Sequence, residues 1–182
     1  MREAIDATKI IEGKEVKNFS LYQEDFDINI ESLRGKSVLD LGTGRDATFV
    51  KYCLKQDIDI IGLDAQNFLK KAKSELTRGH LVRGEIQNPP FVKGKFDLIL
   101  MRASGPENLS LTEVEDILEL LKSGSELKIA PFFLNYPSQI RESLVKALLE
   151  NQDRIGCKVS IKSGRDPVYK NLKRCTVTIK KL

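Results

Sequence analysis

The chain has 182 residues, of which 41% are hydrophobic and 31% charged, and a formal net charge of +4. That is enough for one domain with a sizeable core, and no stretch approaches the roughly 20 apolar residues that a bilayer-spanning helix needs. Three scattered cysteines with no CxxC spacing argue against a disulfide framework or a structural zinc, and a single histidine, His80, argues against a histidine metal site or a Ser-His-Asp triad.

Residues Met1 to Gly13 mix charge with apolar positions and carry no signal-peptide core, so a cytoplasmic location is expected and no metal ligands are. The charge is unevenly placed. From Asn151 to Leu182 there are nine Lys or Arg against Asp153 and Asp166, which leaves the remainder slightly acidic. A basic end of this kind can touch RNA, a phosphorylated substrate or an acidic protein. The reading favoured here is a solvated edge hairpin whose lysines discourage edge-to-edge pairing.

Ala4, Ile5, Ala7, Thr8 and Ile11 suggest a short amphipathic helix ended by Gly13. Asn18 to Ile30 carries Phe19, Leu21, Tyr22, Phe26 and Ile28 between acids and reads as an irregular cover. Residues 1–35 are therefore expected to be an N-terminal helix and cover segment, and residues 36–182 the main domain. The cover either closes over a ligand or merely packs Tyr22 and Phe26 on the outer helices.

Val38, Leu39 and Leu41 read as a buried strand that breaks at Gly42-Thr43-Gly44, and Ala47 to Leu54 reads as a helix. A strand turning through Gly-x-Gly into a helix opens a doubly wound α/β sheet. Gly42 suits a turn with positive φ, and Gly44 lets a ligand approach bare backbone. Asp40 places a carboxylate at the end of that strand, which would repel a pyrophosphate and suits a ligand bearing an ammonium group. Ile58 to Asp64 is the second strand, with Asp64 twenty residues after Gly44 at its carboxyl end, where an acid can accept both ribose hydroxyls. Ala65 to Leu76 reads as a helix, His80 to Glu85 as the third strand and Phe96 to Met101 as the fourth.

The pattern Asp40-Leu41-Gly42-Thr43-Gly44 resembles motif I of the class I S-adenosylmethionine-dependent methyltransferases. Asp46 stands where that family often has a third glycine. The resemblance implies S-adenosyl-L-methionine as cofactor. Its methionine part would lie on Asp40, Gly42, Thr43 and Gly44, its ribose on Asp64 and Ala65, and its adenine on Glu85 and Ile86. The segment Gly84-Glu85-Ile86-Gln87-Asn88-Pro89-Pro90-Phe91 matches the family's acid followed by Pro-Phe. Asn88 to Phe91 also spells the signature of methyltransferases acting on planar amino groups. There, however, it follows the fourth strand and here it precedes it, so the adenine-side loop is the reading taken. Arg102 is expected among the cofactor-binding residues, and with Ser104, Glu107 and the loop through Asn108 it falls where the methyl acceptor would meet the cofactor.

Thr112-Glu113-Val114-Glu115 reads as a capping box opening a helix that ends at Ser123-Gly124. Glu126 to Pro131 is the fifth strand, and Ser138 caps a helix through Glu150. Cys157 to Lys162 and Arg174 to Lys180 alternate with period two and close the chain as a hairpin. The second Gly-Arg-Asp, Gly164 to Asp166, has no longer repeat around it. The expected architecture is a doubly wound, mostly parallel seven-stranded sheet with a C-terminal antiparallel hairpin strand and helices on both faces. The expected activity is methyl transfer to an unidentified small molecule or partner-presented acceptor. The chemistry is in-line displacement, which needs alignment more than a potent base, and no catalytic residue stands out. Two other classes remain at this stage. One is a fold of this type kept as a non-catalytic binding or scaffold module. The other is a nucleotide-binding dehydrogenase, which Asp40 and the lack of GxGxxG oppose.

Overall fold

The computed structural model describes residues 7–65, 75–102, 109–133, 139–165 and 173–182. Its strands are β1 (Val38–Leu41), β2 (Ile60–Asp64), β3 (Leu81–Arg83), β4 (Phe96–Arg102), β5 (Leu121–Phe133), β6 (Cys157–Arg165) and β7 (Lys173–Lys181). The described helices are α1 (Ala7–Phe26), α2 (Ile30–Leu33), α3 (Thr48–Leu54), α4 (Leu111–Glu119) and α5 (Gln139–Asn151). The strands form one sheet in the order β3-β2-β1-β4-β5-β7-β6. β1, β2, β3, β4 and β5 pair in parallel, and β7 runs antiparallel to both β5 and β6. This is the expected seven-stranded α/β architecture.

The two faces of β1 follow from the period-two alternation of a strand. Leu39 and Leu41 join Ile99, Met101, Leu127, Ile129, Val177 and Ile179 beneath α4 and α5. Val38 joins Leu98, Leu100, Ala130 and Ile60 beneath Phe19, Tyr22 and Phe26 of α1 and Phe49, Val50 and Cys53 of α3. Parity sends the side chain of Asp40 to this second, α1-covered face.

Several elements depart from the sequence expectation. The N-terminal segment is not a short helix followed by irregular cover. α1 runs unbroken from Ala7 through Gly13 to Phe26. A mid-helix glycine costs about 1 kcal/mol, and the aromatic face packed on α3 outweighs it. Phe19 stacks on Tyr52 at 4.5 Å and Tyr22 on Phe49 at 3.7 Å. Buried Glu15 also pairs with Lys55 at 2.7 Å. The chain then turns at Asp27 and starts α2 under a capping box between Asn29 and Ser32.

The cap of α4 is Ser110, not Thr112. Ser110 Oγ accepts the Glu113 amide at 3.2 Å, and Glu113 Oε2 accepts the Ser110 amide at 2.6 Å. Two overlapping Ser/Thr-x-x-Glu patterns compete here, and the upstream one wins. α4 also stops at Glu119 rather than Ser123, because Leu121 already pairs with Phe96 across the sheet. β5 is therefore thirteen residues long rather than six. Most of the expected helix from Ala65 to Leu76, the acceptor loop beyond Arg102 through Asn108, the Ser138 cap and Asp166 lie outside the described residues. Among the described residues, no helix is long and apolar enough to cross a membrane.

Candidate functional site

The glycine bend after β1 forms as its residue types require. Gly42 and Gly44 both take φ of 75°. Gly42 and Thr43 donate their amides to Leu63 O at 2.8 and 3.1 Å, and the Gly44 amide donates to Asp64 Oδ2 at 2.9 Å. The bend is thus tied to the tip of β2. Gly62, which the sequence reading passed over, is what lets the two approach. A methyl group there would fall 2.8 Å from Val50 Cγ2 and 3.0 Å from Thr43 Oγ1. Arg45 and Asp46 are both exposed. α3 begins behind it at Ala47, which holds a left-handed conformation and makes no side-chain cap.

The three acids expected at the strand ends occupy different environments. Asp40 is 0% exposed. The Tyr22 hydroxyl donates to its Oδ1 at 2.9 Å, while Asp40 Oδ2 and the neighbouring Thr43 Oγ1 are buried without a hydrogen bond. Asp64 is half-buried at the tip of β2, with Ala65 exposed just beyond it. Glu85 lies two residues past β3 and is exposed. Ile86 is half-buried and packs against the α4–α5 side of the core together with Phe91. Phe91 anchors the Asn88-Pro89-Pro90 turn by meeting Phe96 edge-on at 5.3 Å. Asn88 itself is exposed. His80 is a strand-start residue whose Nδ1 lies 3.0 Å from Ile60 O.

Arg102 ends β4 beside Asp40 and Tyr22. Its Nε donates to Asp25 Oδ2 at 2.6 Å, and its guanidinium lies 5.5 Å from the centre of the Tyr22 ring. The fold therefore gathers Asp40, Thr43 and Arg102 into one corner beneath α1, and ties Gly44 to Asp64 beside it. Glu85 and Ile86 stand further along the same sheet edge. Burial pushes the Asp40 carboxyl up to about 6, against the opposing pull of the Thr43 and Tyr22 hydroxyls and of Arg102. The Tyr22 hydroxyl is itself held well above its usual range, first by burial and then by Asp40, so it remains a donor.

Tyr22 and Asp25 were not foreseen as parts of this corner. Their i, i+3 spacing puts them on one helix face, but only the packed structure reveals that this face meets Asp40 and Arg102.

The class this architecture defines is a doubly wound α/β domain, with buried polar atoms of Asp40 and Thr43 at the end of β1 beside an acid-tipped second strand. Residues 39–123 match the family model described as a methyltransferase domain. No curated protein sequence matches the chain. Solved structures share the fold at low identity. A Listeria monocytogenes protein assigned as an S-adenosylmethionine-dependent methyltransferase aligns with a TM-score of 0.65 at 13% identity, over 91% of this chain and 99% of its own. A SAM-dependent methyltransferase from Archaeoglobus fulgidus aligns at 0.60 and 15%, over 90% and 99%. A Haloferax volcanii protein assigned as a methyltransferase, solved with the Trm112 methyltransferase activator, aligns at 0.58 and 15%, over 93% and 95%. The chain is thus similar to methyltransferases in its matched domain, which spans just under half of it, and to S-adenosylmethionine-dependent methyltransferases in its fold.

Proposed function

We propose that the protein transfers a methyl group from S-adenosylmethionine, and that the corner beneath α1 receives the amino-acid end of that cofactor. The observation carrying this assignment is the pair of orphaned acceptors, Asp40 Oδ2 and Thr43 Oγ1. A buried polar atom without a partner costs about 1–3 kcal/mol, and an ammonium group donates to both. Arg102 brings positive charge to the same corner, where a ligand carboxylate would meet it. Asp64 and Ala65 would line the ribose, and Glu85 and Ile86 the adenine. Gly42 and Gly44 keep the backbone open between them.

When bound, the cofactor supplies a methyl group on an electrophilic sulfonium. The chain's part is to orient it and hold its charged end. The acceptor is a small molecule or a group presented by a partner. Residues 1–35 serve as the cover of this corner, and residues 36–182 form the methyltransferase domain proper. The free, buried cysteines Cys53, Cys157 and Cys175 suit a cytoplasmic setting. Of the C-terminal lysines, Lys162 pairs with Asp27 at 2.8 Å, which favours the solvated-edge reading over a nucleic-acid surface.

Calorimetric titration with S-adenosylhomocysteine is the direct test. Binding heat and a melting temperature that climbs with ligand concentration are expected, since a ligand at a hundred times its Kd adds about 2.7 kcal/mol. Neither heat nor a melting shift at millimolar ligand would sink the assignment.

A further inference from the structure

α1 is tied to the candidate cofactor corner through two polar contacts made by adjacent turns of one helix. Tyr22 Oη lies 2.9 Å from Asp40 Oδ1. Asp25 Oδ2 lies 2.6 Å from Arg102 Nε, with the Asp25 side chain 0% exposed. The Tyr22 ring is itself clamped, stacked on Phe49 with an interplanar angle of 7° and set edge-on to Phe26 at 5.6 Å. A phenol held between two aromatic rings is fixed in direction, and its hydroxyl points at a single carboxylate oxygen.

We propose that Tyr22 is a positioning residue of the cofactor site, whose hydroxyl fixes Oδ1 of Asp40 and thereby reserves Oδ2 for the ammonium end of the ligand. This rests on the assignment of the corner to S-adenosylmethionine. A carboxylate hydrogen-bonded at one oxygen cannot rotate to present either oxygen at random, so the ligand meets a pre-set acceptor. The hydroxyl also favours the ionised form of Asp40, which a cationic ligand requires. The other groups facing Asp40 are Thr43 from the bend, Asp64 from β2, Arg102 from β4 and Cys53 from α3. Of all these groups, Tyr22 makes the aligned hydrogen bond to Oδ1.

Tyr22→Phe removes one oxygen and keeps the ring stack, so the fold is retained. Two measurements test the idea. The first is a pH titration of the Asp40 carboxyl carbon by NMR in ligand-free protein. Its midpoint should move upward in the variant by about one pH unit. The second is S-adenosylhomocysteine calorimetry across pH. The variant should bind about twofold more weakly at pH 7 and approach about tenfold weaker below pH 6, with the gap closing on the alkaline side as Asp40 ionises in both proteins. An unmoved Asp40 midpoint, affinity equal to or tighter than wild type, or a weakening identical at every pH would overturn the role of Tyr22. Wild-type protein that fails to bind would instead remove the cofactor assignment beneath it, so the two failures are distinguishable.

Discussion

Asp40 stands in β1 where alternation calls for an apolar side chain, and the domain bears the cost. Its folded carboxyl titrates at about 6 against an unfolded value of about 3.9. Between those two values the folded state holds a proton that the unfolded state has released. Stability from this group is therefore greatest on the acid side and falls as pH rises from about 4 to about 6. Above that window the buried charge costs on the order of 3 kcal/mol. Asp40→Asn should consequently raise the melting temperature by several degrees at neutral pH, flatten this pH dependence, and abolish S-adenosylhomocysteine binding. Thermal scans at pH 4.5 and 7.5 check it, and a variant less stable than wild type at neutral pH would contradict the reading. A residue that destabilises the fold while serving its ligand is what a binding site looks like at this scale.

At the scale of elements, the outer strands carry their own signal. Lys158 on β6 lies directly opposite Lys180 on β7, and Lys180 lies opposite Glu126 on β5. Like charges facing across a strand pair are unfavourable by a few tenths of a kcal/mol. Lys158→Glu should raise the urea midpoint slightly at low salt, and the gain should fade in molar salt as the charges are screened. An effect that persists at high salt would point to packing instead. The lysine row fits an exposed edge guarded against pairing with other chains. α1 is the contrasting element. Its exposed Val16 contributes little, while Phe19, Tyr22 and Phe26 lie 1–4% exposed on the sheet and α3.

Across the whole molecule, the sheet order puts β1 and β4 at the centre and β3 and β6 at the edges. Backbone amides of β1, β4 and β5 should exchange with deuterium most slowly, and those of β3 and β6 fastest, because edge strands open without breaking the core. Mass-resolved exchange reads this directly. Protection of β6 equal to that of β4 would mean its outer edge is covered in solution. The candidate corner lies against the strands expected to be most protected, and α1 closes it through Tyr22 and Asp25.

What could be read without tertiary structure was what repeats locally. Strand alternation, the Gly42-Thr43-Gly44 bend and the acids at or near successive strand ends all lie in short windows, and each was legible because backbone sterics and side-chain period act over a few residues. What the residues could not say was which local preference would yield to remote contacts. Gly13 lies inside α1 because aromatic packing on α3 outweighs its entropy, and Ser123-Gly124 lies inside β5 because Leu121 pairs with Phe96, twenty-five residues earlier. The same holds at the site. Asp40 was visible as an acid beside a glycine bend, but its full burial, its orphaned oxygen and its bond to Tyr22 exist only because a helix eighteen residues upstream folds back over the sheet.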